Sequence, residues 1–125
     1  MVAGAELVAF LPSLDLEASD HFSRGVLGLR RVESTAFANA YDANGTQLRV
    51  TRVTELLPVS YTVLGWRVAD VAAEIRELRA TGVEFKLYDS MAQDQDGVWE
   101  SPSGARIAWF SDPDGNTLSL QQSSG

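Results

Sequence analysis

The sequence predicts an α+β fold built from two copies of one βαβββ module, and three observations carry that prediction. Asp15 and Asp70 each stand before an apolar helical stripe, 55 residues apart. Asp42-Ala43-Asn44-Gly45 and Asp112-Pro113-Asp114-Gly115 are turn signals whose first residues lie 70 apart. The 15-residue difference equals the length of the polar stretch 90–104, so one insertion accounts for it. Asn44–Val50 also matches Asp114–Leu120 in pattern.

The elements follow in order. Residues 6–12 read as a strand ending at Pro12. Asp15 is an N-cap, and Leu16, Ala18, Phe22 and Val26 follow at helical spacing. Gly28 is the stop, which predicts a helix over 16–27. Residues 29–33 and 36–42 read as short strands, the second carrying Phe37 and Tyr41. Residues 47–52 alternate polar and apolar, the pattern of a half-buried strand.

Residues 54–60 read as a linker, and then the pattern restarts. Tyr61–Ala69 is a predicted strand, and Asp70 caps a helix with Val71, Ile75 and Leu78 as its stripe and Gly82 as its stop. Val83–Tyr88 is a predicted strand, followed by a long polar loop over 90–104. Residues 105–121 form a hairpin about Asp112–Gly115. Pro113 pre-sets φ and Gly115 accepts positive φ, which suits a type I turn with a bulge and a three-residue loop. Module one spans about 5–53 and module two about 60–122 of a single domain, 1–125. Two such modules side by side give a curved mixed sheet with both helices on one face and a concave pocket on the other.

Composition narrows the partners. The chain has 125 residues, 45% of them apolar, enough for a sizeable core in one domain. The formal net charge is −7, which disfavours nucleic acid and anionic membrane as partners. There is no cysteine, so thiolate metal sites, disulfides and cysteine nucleophiles are excluded. No apolar run approaches the roughly 20 residues that span a bilayer, and no secretory signal is visible. The expectation is a soluble cytoplasmic protein.

Several segments carry a family resemblance: Asp15-Leu16-Glu17-Ala18-Ser19, Phe22 and Val26-Leu27-Gly28-Leu29 in the first half. In the second half they are Gly65-Trp66-Arg67-Val68-Ala69-Asp70-Val71, Gly82-Val83 and Trp109-Phe110-Ser111-Asp112-Pro113-Asp114-Gly115-Asn116. Together they resemble the vicinal oxygen chelate superfamily, the group of glyoxalase I, the bleomycin-resistance proteins and the extradiol dioxygenases. The resemblance implies paired βαβββ modules and a homodimer. It also implies, for metal-dependent members, inward-pointing His, Glu or Gln on the first and last strand of each module. Those places fall on Val8, Arg49, Val63 and Ser119. Valine has no lone pair, a guanidinium is always cationic, and one serine hydroxyl is a poor ligand. The single histidine, His21, falls in the first helix. Neither a metal nor another cofactor is expected.

Alternation along the strands places Val8, Phe10, Val63, Gly65 and Arg67 on the concave face, with Gln47, Arg49, Thr51, Thr117, Ser119 and Gln121. Leu7, Ala9, Leu64, Trp66 and Val68 then pack under the helices. Trp109 and Phe110 lie on opposite faces of one strand, and either one could face the pocket. Trp99, Met91 and Tyr88 belong to or border the long loop, which either closes the pocket or packs on the protein's own surface. The candidate ligand-binding residues are Phe10, Arg49, Val63, Arg67, Trp99, Trp109 and Ser119. Arg49 and Arg67 suit an anionic or aromatic small molecule, unless both are ordinary surface or ion-paired arginines.

No carboxylate pair, glycine-rich phosphate loop or nucleophile elbow is evident, so no catalytic residue is named. The expected function is a metal-free small-molecule binding protein of the glyoxalase or bleomycin-resistance type. The alternative is a lyase, isomerase or dioxygenase-like enzyme acting on a small polar or aromatic metabolite. A third reading is a structural or regulatory homodimer with a vestigial pocket.

Overall fold

The computed structural model describes residues 1–124, which form two compact units, 1–57 and 58 onward. The first unit runs β1 (Val8–Ser13), α1 (Leu16–His21), β2 (Arg30–Ser34), β3 (Ala38–Ala43) and β4 (Thr46–Arg52). The second runs β5 (Leu64–Arg67), α2 (Val71–Ala80), β6 (Trp99–Glu100), β7 (Arg106–Ser111) and β8 (Thr117–Gln122). Their four-stranded mixed sheets have matching orders, β1-β4-β3-β2 and β5-β8-β7-β6. The first strand of each lies parallel to the last, and the other pairs are antiparallel. The duplication read from the caps and turns is therefore a duplication of topology.

Local chemistry starts both helices as expected. The Asp15 carboxylate accepts the N–H groups of Glu17 and Ala18 at 3.1 and 3.2 Å. The Asp70 carboxylate accepts that of Ala73 at 3.2 Å, while Gln122 Oε1 accepts that of Val71 at 2.9 Å. Each cap satisfies donors that the first turn leaves open, contributing about 1 kcal/mol. The first helix departs from the predicted 16–27 span. It is α-helical only to His21 and continues as a π turn over Phe22–Val26, closed by Leu27 N–H to Phe22 C=O at 3.0 Å. Gly25 and Val26 inside that turn are weak α-formers, which favours the wider winding.

The two hairpins differ. At the second, Gly115 N–H reaches Asp112 C=O at 3.0 Å and Asp112 N–H reaches Asn116 C=O at 3.1 Å. Gly115 has φ 83°, so this is the expected bulged three-residue loop. The Asp112 carboxylate accepts the N–H groups of Asp114 and Asn116 and the Asn116 amide, at 3.0, 2.9 and 2.8 Å. Burial pushes its carboxyl above the usual range, against the pull of those bonds. At the first hairpin the ladder runs up to Ala43–Thr46. Only Asn44 and Gly45 are left to turn, with φ 51° and 94°, a two-residue type I′ turn.

Two predictions in the second unit need correction. Val83–Tyr88 is not a strand. It touches β7 through one bridge, Phe85 to Phe110, and one flanking bond, Lys86 N–H to Trp109 C=O at 2.8 Å. The fourth strand is β6, inside the stretch expected to be loop. The cause is the Gln93 side chain. Its Oε1 accepts Tyr88 N–H at 2.6 Å, and its Nε2 donates to the carbonyls of Lys86 and Gly97 at 3.0 and 2.8 Å. One carboxamide thus occupies backbone groups that a neighbouring strand would have used.

Each sheet buries one face. Leu11, Tyr41, Leu48 and Val50 pack with Leu16 in the first unit. Phe110, Leu118 and Leu120 pack with Val71, Ile75 and Leu78 in the second. Each such side chain contributes about 1.5–3 kcal/mol by leaving water. Leu7 does not join this core; it precedes β1 and is 75% exposed. Among the described residues no helix is long and apolar enough to cross a membrane.

Candidate functional site

Register sets the geometry of the second unit's free face. Gly65 pairs with Ser119 and Ser119 with Trp109, so these three share one row across β5, β8 and β7. The next row, about 6.6 Å on, holds Arg67, Gln121 and Ile107, with Trp99 beside Ile107 on β6. Leu64, Leu118 and Phe110 occupy the opposite face, where Phe110 is wholly buried. Trp109 is therefore the aromatic residue of that pair on the free face. A cleft of about 470 Å³ opens here, with Thr62, Gly65, Arg67, Trp109, Ser119 and Gln121 among its walls.

The floor of the cleft depends on a missing side chain. A Cβ at Gly65 would come within 2.6 Å of Ser119 Oγ, so glycine lets that hydroxyl sit where it does. The Trp109 indole N–H donates to Thr62 Oγ1 at 3.0 Å, which fixes the ring. Tyr88 meets Trp109 edge-on at 5.7 Å, and Trp99 lies tilted against it at 6.3 Å. Such pairs add about 0.5–1.5 kcal/mol each beyond their burial and make a stiff aromatic wall. Burial pushes the Tyr88 phenol up, and its hydroxyl has no hydrogen-bond partner.

Sequence reasoning put Thr117 on this face and Tyr88 only at the border of the loop, and missed Lys86. Phe85 lies tilted against Phe110 at 5.4 Å on the helix side, whereas Lys86 reaches Thr117 and Tyr88 meets the Trp109 ring on the free face. Lys86 Nζ donates to Thr117 Oγ1 at 3.0 Å, and that hydroxyl donates to Val59 C=O at 2.7 Å. The available signal was that Lys86 is the chain's one lysine, two residues from a tyrosine. The loop after Tyr88 is not loose. Gln93 holds it from within, and Arg79 of α2 bonds Asp96 at 2.7 Å.

The remaining candidates lie elsewhere. Val63 directly precedes β5, its N–H bonded to Thr117 C=O at 2.9 Å, and is not among the cleft walls. Phe10 and Arg49 share a row with Ala40 in the first unit. Phe10 is 60% exposed, and Arg49 faces Glu33 at 3.8 Å, an ion pair on that face. His21 lies on the outer side of α1, in an open cavity of about 760 Å³ with Arg24, Arg30 and Arg31. Asp20 ties that surface together, accepting from Arg31 at 3.0 Å, Arg24 at 3.4 Å and the buried Tyr41 hydroxyl at 2.8 Å. Burial and the Asp20 carboxylate push the Tyr41 phenol up to about 12.

The donor set does not fit a divalent ion. Val8 pairs with Gln47, one row from Arg49, and Arg49 is engaged by Glu33. In the second unit, Gly65 stands beside Ser119 with no side chain to add. Among the described residues no group of three His, Cys, Asp or Glu side chains could hold a metal.

No family model and no curated protein matches the sequence. Solved structures do match the fold. Lactoylglutathione lyase from Agrobacterium tumefaciens superposes with a TM-score of 0.74 at 16% identity, covering 95% of this chain and 93% of that one. The fosfomycin resistance protein FosX from Listeria monocytogenes gives 0.74 at 16% identity, covering 97% and 94%; it has also been crystallised with Mn(II) and a sulfate ion. A glyoxalase/bleomycin resistance protein/dioxygenase from Nocardioides gives 0.69 at 19% identity, covering 95% and 84%. On matching topology along nearly its whole length, the chain has the vicinal oxygen chelate fold.

Proposed function

We propose that the protein binds a small molecule with a flat, unsaturated body, without a metal, in the cleft of its second module. One observation carries this reading: Trp109 stands in the same row as Gly65 and Ser119, so an aromatic wall faces an open floor. A planar ligand would stack on Trp109, while the Ser119 hydroxyl and the Gln121 amide supply directional bonds. The similar folds include a lyase and an antibiotic-resistance protein, whose names speak of small molecules. The residues at the expected metal positions support a binding mode that does without one. We also propose a homodimer as the working unit, with Phe10 and Phe37 among the exposed apolar side chains a second copy would cover.

A thermal-shift screen against planar aromatic compounds tests the reading. A ligand at about 100 times its Kd stabilises the native state by about 2.7 kcal/mol. The expected result is a hit whose shift disappears in Trp109→Ala. A hit that survives Trp109→Ala places the site elsewhere and sinks the reading. Stoichiometric zinc, nickel, manganese or iron in protein purified without chelator would sink its metal-free part. Light scattering at micromolar concentration tests the dimer.

A further inference from the structure

Resting on that reading, we propose that Lys86 anchors an anionic group of the ligand, a carboxylate or a phosphate, so that the occupant of the cleft is an aromatic anion. The first ground is the charge itself. Lys86 is the only lysine of a chain that carries 17 acidic residues and a net charge of −7. Arg24, Arg30, Arg31, Arg49 and Arg79 each lie within ion-pair distance of a carboxylate. Among the described residues Lys86, Arg52, Arg67, Arg76 and Arg106 form no such pair, and of these Lys86 and Arg106 are half-buried. A partly desolvated ammonium without a counter-charge favours an anion from outside.

The second ground is how the ammonium is held. It has three donors, and one is spent on Thr117 Oγ1 at 3.0 Å. Thr117 is wholly buried, and its own proton goes to Val59 C=O at 2.7 Å, so the acceptor is fixed. That leaves Nζ positioned with two donors free. The partner is neutral, which positions the charge without cancelling it.

The third ground is its neighbours. Lys86 N–H bonds Trp109 C=O at 2.8 Å, and Tyr88, on the same face, lies against the Trp109 ring. The Tyr88 hydroxyl is buried without a partner, a second polar group here with unmet capacity. Gln93 grips both residues, through Tyr88 N–H and Lys86 C=O. The cation and the aromatic wall are therefore parts of one braced segment. Lys86 and Thr117 stand just beyond the cleft walls: Thr117, which locates the ammonium, is two residues from the wall residue Ser119 on β8, one row along the same face.

Calorimetric titration with 2-naphthoate, 2-naphthyl phosphate and neutral 2-naphthamide tests this on the intact chain. At least one anion is expected to bind about tenfold tighter than the amide, the scale of a charge-assisted hydrogen bond. The stronger of the two anions identifies the headgroup. Lys86→Met is expected to erase that preference, and Lys86→Arg to retain most of it. Equal binding of amide and anions by the wild-type protein overturns the proposal and leaves the aromatic site standing. Failure of all three probes overturns both. A preference that survives Lys86→Met but collapses in Arg67→Gln assigns the anchor to Arg67 and overturns the proposal. A direct readout needs no substitution. Lysine-selective ¹³C labelling marks Lys86 alone and leaves its donors intact. The Lys86 Cε resonance is expected to shift with naphthoate and not with naphthamide; a resonance that ignores both also overturns the proposal.

Discussion

The same row of the two sheets is filled in opposite ways. In the first module it reads Phe10, Arg49, Ala40; in the second, Gly65, Ser119, Trp109. The bulky aromatic sits on the first strand of one module and on the third strand of the other. The central position is an ion-paired arginine in one and a nearly buried serine in the other. Beneath the helices the contrast is polar against apolar. Tyr41 and Asp20 bond at 2.8 Å in the first module, where the second has Phe110 and Ile75. Topology, caps and turn positions survived duplication because they specify the chain path. The faces diverged because side chains on either side of a strand change without altering its ladder.

Phe110→Ala tests that contrast with the largest expected effect. It empties a wholly buried aromatic site and is expected to cost about 3–5 kcal/mol in urea unfolding. Asp112→Ala comes next, at about 3 kcal/mol, because it orphans the Asn116 N–H and amide inside a buried turn. The matching Asp42→Ala is expected to cost under about 1 kcal/mol, since that exposed turn loses one carboxylate bond to Gly45. Equal costs would show that the two hairpins are energetically interchangeable.

Tyr41→Phe turns the polar contact into the apolar kind, at an expected cost of about 2 kcal/mol at neutral pH. Its sharper signature is alkaline. In the unfolded chain the phenol ionises near its ordinary value of 10.0, whereas the native protein keeps its proton to about 12. The native state is favoured by that proton below pH 10, and the advantage is lost as pH rises from about 10 to 12. Wild-type stability is therefore expected to fall faster than that of Tyr41→Phe across this window in denaturant titrations. Parallel curves would remove Tyr41 as the cause. Arg49→Ala should have the smallest effect, within about 0.5 kcal/mol, because its pair with Glu33 is long and partly solvated.

Much of the path was legible in the sequence because its signals are local. An aspartate before a stripe, an Asn-Gly and an Asp-Pro-Asp-Gly each act within a few residues. They fixed both helix starts and the register of β4 and β8, and so put Arg49 and Ser119 on the free faces. What escaped depends on distant partners or on pieces too short to show a period. Two residues of β6 carry no alternation, and one π turn cannot be told from α by spacing. Gln93 reads as an ordinary polar loop residue until the carbonyls it bonds are known. Lys86 reads as the solvent side of a strand that does not form. Trp109 and Phe110 could be assigned to faces only once Trp109 was seen paired with Ser119.

The two-residue turn at Asn44-Gly45 also bears on how the protein ages. Asn-Gly is the dipeptide in which a deprotonated glycine nitrogen attacks the asparagine side-chain carbonyl, expelling ammonia and forming a succinimide. Here the Gly45 N–H is held by Asp42 Oδ1 at 3.0 Å. An acceptor bearing negative charge makes that proton harder to lose, and the hydrogen bond restrains the nitrogen. Asp42 thus protects the bond chemically as well as shaping the turn. Replacing it with alanine is expected to speed the slow gain of one mass unit at Asn44, followed by peptide mass spectrometry over weeks. If the rate does not change, the carboxylate serves the turn's geometry alone.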